Sequence, residues 1–399
     1  MKHSTLESLA LPVLALAGGL GLFGLFVWLN GHDPVQAWGL LFRGAFGDAF
    51  SLQNTLQRAA PLMLTALCVA IPARAGLTVI GGEGALVCGA LACAALPYVW
   101  TPPPNAMGTA CLLLAAAAAG GAWVALAGAL RQWRGVNETI SSLLLGYIAI
   151  ALFKHFVEGP LRDPASLNKP STRPLAEGLR IGPIAADSVL GDVHWGLVIG
   201  LVLCVLAGLW LSFTAHGFSL RQVGGNARTA RLAGLNSDGL VIFACAAGGA
   251  CAGLAGGIEV AAVHTAANAS LIAGLGYTGI LVAFVARHNP WAIPPVALLF
   301  GGFGAAGSLL QRRPPGPVVC PRSADRATLP ERWPPRPEPP LEPPDVCLAL
   351  HALRVRPNNG ASVSDLCPNS GVVVLPNRMP PAAFTRAAQT ASSFGTLFS

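Results

Sequence analysis

The chain has 399 residues, of which 53% are hydrophobic and 11% are charged. Soluble domains contain about 25% charged residues, so this composition excludes an ordinary soluble enzyme and indicates an integral membrane protein. The formal net charge of +7 comes mostly from arginine. Since no basic stripe is interleaved with aromatic residues, we interpret the excess as loop charge beside membrane lipid and not as a nucleic-acid interface.

The sequence has no motif for a metal site, for ATP hydrolysis or for nucleophilic catalysis. The ten cysteines form no CxxC pair and no Cys/His cluster, so we predict no metal site. No Gx4GK[ST] motif occurs, so the chain itself is not expected to bind or hydrolyse ATP. No Ser/His/Asp or Cys/His set has a usable spacing, so we assign no catalytic residue and expect no enzyme activity.

Nine apolar stretches are candidate membrane spans, since a helix needs about 20 apolar residues to cross a bilayer. They are residues 9–29, 59–73, 76–99, 106–130, 138–157, 194–213, 240–263, 276–286 and 291–310. The second and eighth are short, which is typical of transporters whose helices break near the pathway. We therefore predict an all-α, polytopic membrane domain over residues 1–311, with about 8–9 spans and short broken helices.

Loop charge predicts the orientation of these spans, because basic loops stay on the cytoplasmic side. With the N-terminus inside, the loops of Arg74, Arg131, Arg221 and Arg287 all fall inside. The long loop 158–193, which mixes basic and acidic residues, falls outside. The pattern predicts a multi-pass protein with a cytoplasmic N-terminus.

Glu83 is an acidic residue within an apolar stretch and has glycines on both sides. An ionisable group at membrane depth is costly and is a functional candidate, here as a residue that lines a translocation path. A carboxylate that caps backbone N–H groups at a helix start is the alternative, and Asn137 at the start of a later span has the same two interpretations. The candidate path residues are Glu83, Gly81, Gly84, Asn137 and Tyr147.

A basic segment, LRQVGGNARTARLAGLN at residues 220–236, lies between two spans. Asn226 is a suitable cap for a short helix over residues 227–233, and Gly234 is suited to end it. Ala227, Ala230 and Gly234 would then form one smooth face for a docking protein. An ordinary solvated loop is the alternative. We assign residues 214–238 as a docking loop with candidate residues Arg221, Gly224, Asn226, Arg228, Ala230, Arg231 and Gly234.

The apolar pattern stops near residue 311. Residues 314–399 hold 17 of the 33 prolines, so residues 312–399 form a Pro-rich tail that cannot span a membrane. A disordered tail is one interpretation. Translation of this region out of frame is the other, because the tail mixes Cys, Trp and Arg without a repeat.

Several segments together resemble a known family. They are, in order, AGLTVIGGEGALVCGALA, GVNETISSLLLGYIA, GPLRDP, RQVGGNARTARLAGLN and GYTGILVAFVARHNP. Over about residues 10–311 they resemble the permease subunits of bacterial ABC importers of the branched-chain amino acid/ribose class, nearest the nucleoside and simple-sugar branch. The family usually carries Asn, Gln and Asn where this chain has Val79, Ala85 and Gly146.

This resemblance implies a permease subunit in the bacterial cytoplasmic (inner) membrane that forms the path for nucleosides or related sugars. It implies a second permease subunit, a separate ABC ATPase subunit that binds ATP and docks on the cytoplasmic loop, and an extracytoplasmic substrate-binding lipoprotein. The alternative is an ion-coupled secondary transporter of a small polar solute. Such a transporter needs an intramembrane acid or His relay, for which Glu83 is the candidate.

Overall fold

A computed structural model describes residues 3–166, 169–184, 191 and 193–312, with regular structure that is helical throughout these ranges. The helices are α1 (His3–Leu29), α2 (Pro34–Phe42), α3 (Ala49–Ala73), α4 (Gly82–Val99), α5 (Ala106–Arg134), α6 (Glu138–Glu158), α7 (Gly196–Phe213), α8 (Ala215–Gly225), α9 (Ala227–Leu232), α10 (Ser237–Ile258), α11 (Leu275–Val285) and α12 (Ile293–Arg312). The predicted all-α class is confirmed. The Pro-rich tail lies, after Arg312, outside the described residues.

Six helical segments are long and apolar enough to cross a membrane: α3, α4, α5, α6, α7 and the segment Ser237–His264, which extends α10 by a π-helical turn. Three shorter apolar helices are Ala17–Leu29, Ala269–Val285 and Ile293–Gly307. These nine elements lie at the nine predicted positions. The predicted polytopic architecture, including short helices, is therefore confirmed.

Two details of the sequence prediction are wrong. The second span is not short: α3 has 25 residues and begins at Ala49, because the polar stretch before Ala59 is also helical. The third span does not begin at Gly76, since residues 77–80 are not helical and α4 begins only at Gly82. The sequence also gave no signal for α2, a nine-residue helix whose start is capped by the Asp33 side chain.

The helix α10 lies at the centre and packs against α3, α4 and α5. Its glycines permit this close packing. A Cβ at Gly248 would lie 2.7 Å from the carbonyl oxygen of Cys68, and a Cβ at Gly253 would lie 3.0 Å from the Cα of Gly120. Lipid provides no hydrophobic drive for helices to associate, so close contact through small residues is the main packing force.

The buried residues form two clusters at different ends of the helices. One holds Leu77, Leu220 and Val223, close to the predicted docking loop. The other holds Phe153, Val157 and residues of the loop 158–193. The predicted docking loop is therefore packed into the same domain as the membrane helices.

The topology can be tested by cysteine labelling. In a variant without the ten native cysteines, single cysteines would replace Thr229 in α9 or Ala165 in the loop after α6, both of which are exposed. We expect an impermeant thiol reagent applied to intact cells to label position 165 and not position 229, with both labelled in opened cells. The reverse pattern would contradict the predicted orientation.

Candidate functional site

Glu83 connects two broken helices. It lies in the first turn of α4, and its side chain is 1% exposed. Its Oε1 accepts a hydrogen bond from the backbone N–H of Gly274 at 3.0 Å, and its Oε2 accepts one from Gly276 at 2.6 Å. The carboxylate therefore caps the amino end of α11 and not that of its own helix.

Close backbone contact makes this cap possible. A Cβ at Gly276 would overlap the backbone nitrogen of Glu83, so only glycine lets the start of α11 come this near to α4. The first N–H groups of a helix have no partner within the helix, and the helix dipole favours a negative charge beside them. Charge-assisted hydrogen bonds of this kind are stronger than neutral ones.

Arg74 holds the opposite end of α11. Its Nη2 donates a hydrogen bond to the carbonyl oxygen of His288 at 3.0 Å, three residues after α11 ends. Burial lowers the pKa of the Arg74 guanidinium, with a further contribution from the charge of Arg221. Burial also lowers the pKa of His288, and the nearby Arg74 charge adds to this effect. A cation near the carboxyl end of a helix complements its dipole.

The turn that follows Arg74 packs against the docking loop. A Cβ at Gly224 would overlap the carbonyl oxygen of Arg74 and would lie 3.0 Å from the backbone of Ala75 and Gly76. Gly76 has a φ of +75°, a conformation that favours glycine. The candidate docking residue Gly224 is thus a contact between α8 and the α3–α4 connection.

Residues 77–80, which lie outside any helix, are bonded to the start of α6. The backbone N–H of Ile80 donates to the Ser142 Oγ at 3.1 Å, and the Thr139 hydroxyl donates to the carbonyl oxygen of Thr78 at 2.9 Å. Backbone groups outside a helix have no helical hydrogen bonds, so they need partners of this kind. The connection from α3 to α4 is therefore fixed between α6, α8 and α11.

Asn137 caps its own helix. Its side-chain oxygen accepts hydrogen bonds from the backbone N–H groups of Thr139 at 2.9 Å and Ile140 at 3.3 Å. Next to it, Glu138 forms an ion pair with Arg131 at the end of α5. Asn137 is therefore a helix cap at the start of α6, whereas Tyr147 lies near the middle of the same helix.

The other candidate path residues gather where α4, α6 and α11 meet. A Cβ at Gly84 would lie 2.6 Å from the Cα of Gly146, and Gly81 packs in the same way on Ser142. Tyr147 is 57% exposed at the midpoint of α6, and its phenol ring lies close to that of Tyr277 on α11. Gly81, Glu83, Gly84 and Tyr147 therefore form one cluster.

All three positions at which the chain departs from the resembled family are buried. Val79 and Ala85 are fully buried in the cluster beside the docking loop. Gly146 supplies the space that the backbone of Gly84 occupies. Apolar or small residues suit all three positions because each is occupied by packing.

Glu259 is buried in the π-helical turn after α10. Its Oε2 lies 3.4 Å from the Nδ1 of His264. The wider π turn re-aims the side chain, which a regular α-helical pattern does not predict.

The docking loop folds as α8 and α9. Asn226 caps α9 by accepting hydrogen bonds from the N–H groups of Arg228 at 3.0 Å and Thr229 at 3.1 Å. Gly234 has a φ of +82° directly after the helix. The predicted short helix, its cap and its glycine end are confirmed, while α8 was not predicted as a helix in its own right.

The exposed face of α9 is not the predicted one. Ala230 is only 3% exposed, so the expected smooth face through this residue is wrong. Arg231 is directed to α10, where its guanidinium donates to Ser237 at 2.7 Å and Asp238 at 2.8 Å. Leu232 is 83% exposed. Because Ala230 packs inward, the Leu232 side chain lies on the exposed side of α9.

No expectation from the sequence concerned Leu232, which lies between Arg231 and Ala233 in the alanine-rich part of the segment. Arg221 and Arg228 are also exposed on this surface. A cavity of about 320 Å³ lies beside it. The cavity is lined by Ala75, Gly76, Leu77, Arg131, Gln132, Val223, Gly224, Gly225, Asn226, Ala227, Arg231, Ser237 and Val241.

Comparison with known proteins identifies related chains. The family model described as the permease component of the branched-chain amino acid transport system matches residues 51–318. A glucose ABC transporter permease protein of Haloferax volcanii is 32% identical over 307 residues, which cover 75% of this chain and 80% of the relative.

Two guanosine ABC transporter permease proteins of Bacillus subtilis also match. One is 27% identical over 79% of this chain and 90% of its own length. The other is 26% identical over 64% of this chain and 82% of its own length. The matched region includes every residue of the cluster around Glu83 and of the docking loop.

Adjacent glycines offer a matched test of the contact between α8 and the α3–α4 connection. Gly224→Ala forces a Cβ into the Arg74 carbonyl, whereas a Cβ at Gly225 meets nothing within 4 Å. We expect Gly224→Ala to destabilise the detergent-solubilised protein by about 1–3 kcal/mol, the usual cost of overpacking. Gly225→Ala should melt like the wild type in a fluorescence thermal-shift assay, and equal melting of both variants would contradict the contact.

Proposed function

The chain belongs to the branched-chain amino acid transport permease family, and we propose that this ABC transporter permease imports nucleosides or related simple sugars. It does so from the bacterial cytoplasmic membrane, with its N-terminus inside. The observation that carries the proposal is the match along most of the chain to permeases named for guanosine, nucleoside and glucose transport. The rival reading, an ion-coupled secondary transporter, is set aside because these relatives are ABC permeases.

The chemistry of the named solutes supports a shared substrate class. Guanosine contains a ribose ring, and glucose is itself a hydroxylated ring, so one pathway can accept either skeleton. The hydroxyl groups of Tyr147 on α6 and Tyr277 on α11 are two polar groups that lie close to each other. Together with Gly81, Glu83 and Gly84, they are the residues that we place at the translocation path.

Docking of an ABC ATPase subunit on residues 214–238 is the second part of the proposal. The sequence contains no nucleotide-binding Gx4GK[ST] loop, so work must enter through contact with a partner. The helix α9 is capped by Asn226 and tied to α10 by Arg231, which makes it rigid. Leu232 supplies an apolar anchor on its exposed tip, and Arg221 and Arg228 supply charge around it.

Two further partners complete the transporter. Two Bacillus subtilis relatives are both named guanosine permeases, which supports pairing of this chain with a second permease subunit. Exposed apolar residues of α6, such as Leu144 and Ile148, supply a surface for it within the membrane. The loop 158–193 lies at the other end from the docking loop and is the proposed contact for a substrate-binding lipoprotein.

Uptake measurements test the substrate class. The permease, its ATPase, its second permease and its lipoprotein would be expressed together in cells that lack nucleoside and sugar uptake of their own. We expect ATP-dependent accumulation of labelled guanosine or glucose, and competition by unlabelled solutes of the same class. Uptake of branched-chain amino acids with no response to nucleosides or sugars would refute the assignment.

Leu232→Asp tests the docking surface. An aspartate on this exposed tip does not disturb the core, but it places a charge in the interface. We expect ATPase co-purification and uptake to fall by about tenfold or more, as for the loss of an interface anchor. Val99→Asp is the matched control, because it also replaces an exposed apolar residue by aspartate, at an 89% exposed position at the far end of α4. This variant should leave ATPase co-purification intact. Normal co-purification with Leu232→Asp would contradict docking at α9.

A further inference from the structure

We propose that residues 74–83 form a strut that carries movement of the docking loop to α11, and that Glu83 is the positioning residue that joins the strut to this helix. The inference rests on the proposed docking of an ATPase at residues 214–238. Family membership by itself does not explain why the buried Glu83 carboxylate of α4 binds the start of α11, and the proposal gives this interaction a role.

The strut begins at the docking loop. Gly224 packs directly on the backbone of Arg74, Ala75 and Gly76, without side chains between the two segments. Leu220 and Val223 of α8 are buried in the same cluster as Ala75 and Leu77. Protein interiors are close-packed and transmit displacement instead of absorbing it. A shift of α8 must therefore move this turn.

The middle of the strut is not helical. Residues 77–80 lie outside any helix, between the turn at Arg74 and the start of α4. Leu77 and Val79 are buried, while Thr78 and Ile80 are bonded to α6. A segment fixed along its length by packing and hydrogen bonds transmits a displacement instead of absorbing it, so it passes the displacement on in the direction of α4.

The strut holds α11 at both ends. Arg74 binds the carbonyl oxygen of His288 after the helix, and Glu83 binds the N–H groups of Gly274 and Gly276 at its start. The helix has 11 residues, about 16 Å in length, roughly half of the membrane core. Because residues 74–83 hold both ends of this short helix, α11 moves with that segment.

Left-handed backbone positions separate α11 from its neighbours. Gly274 has a φ of +75° before the helix, and Arg287 and His288 have φ values of +53° and +55° after it. Short turns of this kind absorb changes in direction while the helix stays rigid. On α11 itself, Leu281 and Phe284 are exposed, and Tyr277 lies close to Tyr147 of the proposed path. Movement of the helix would therefore alter the path directly.

Glu83→Gln is the sharpest variant, because the amide has the same shape as the carboxylate and leaves no cavity. One of its two terminal atoms becomes an NH2 group, which faces a backbone N–H and cannot accept its hydrogen bond. The negative charge at the start of α11 is lost as well. Glu259→Gln is the matched control, since Glu259 is also a buried glutamate of the membrane domain but lies at the π turn, away from the strut.

The experiment uses the complete transporter in proteoliposomes and measures guanosine uptake, ATP hydrolysis, ATPase co-purification and melting temperature for each variant. We expect Glu83→Gln to keep the ATPase and its hydrolysis while uptake per ATP falls by about tenfold, the scale of one lost charge-assisted hydrogen bond. Glu259→Gln should keep the wild-type ratio. A merely structural role would lower uptake and hydrolysis in proportion, which would overturn the proposal.

Arg74→Gln gives an independent measurement at the other end of α11, on a half-buried residue that is more tolerant of change. It should also lower uptake per ATP, and this result alone decides the matter if Glu83→Gln does not assemble. A wild-type ratio in Arg74→Gln, or in an assembled Glu83→Gln complex, would overturn the strut. A wild-type permease that binds no ATPase would refute the docking proposal itself, independently of Glu83.

Discussion

The amino end of α11 sets the central constraint of this molecule. A helix that starts within the apolar part of a membrane protein exposes N–H groups with no water to bond them, and each unpaired group is costly. The Glu83 carboxylate satisfies them, with hydrogen bonds from Gly274 and Gly276 to its two oxygens. The break between α3 and α4, the glycines around Glu83 and the short length of α11 are all consistent with this one contact.

Close approach of backbones is the condition for that contact. In the membrane, helices associate through small residues and not through burial of large ones. Gly276 lets α11 reach Glu83, Gly84 and Gly146 let α4 reach α6, and Gly224 lets the docking loop reach the Arg74 turn. The same principle places the glycine-rich α10 at the centre. A domain built in this way is rigid, and it can respond to a partner chiefly by movement of whole helices.

In the docking loop, local residue preferences determine where α9 begins and ends, and tertiary packing determines which of its faces is exposed. Capping by Asn226 and termination at Gly234 are local properties of the chain, and both could be predicted from residue type and spacing. Which side of α9 faces outward is not local, because it depends on the buried cluster that receives Ala230. The exposed anchor is therefore Leu232, and Arg231 serves to hold α9 against α10.

Sequence alone determined the class of the protein, its nine apolar elements, the short α11 and the local form of α9, because hydrophobic length and capping preferences act within a few consecutive residues. It also identified Glu83 as exceptional, since an acid among apolar residues is rare. It left open whether that acid caps a helix or lines a path. Only the tertiary structure decided that Glu83 binds residues 191 and 193 positions further along the chain, because a long-range contact between backbone and side chain leaves no periodic pattern in either segment.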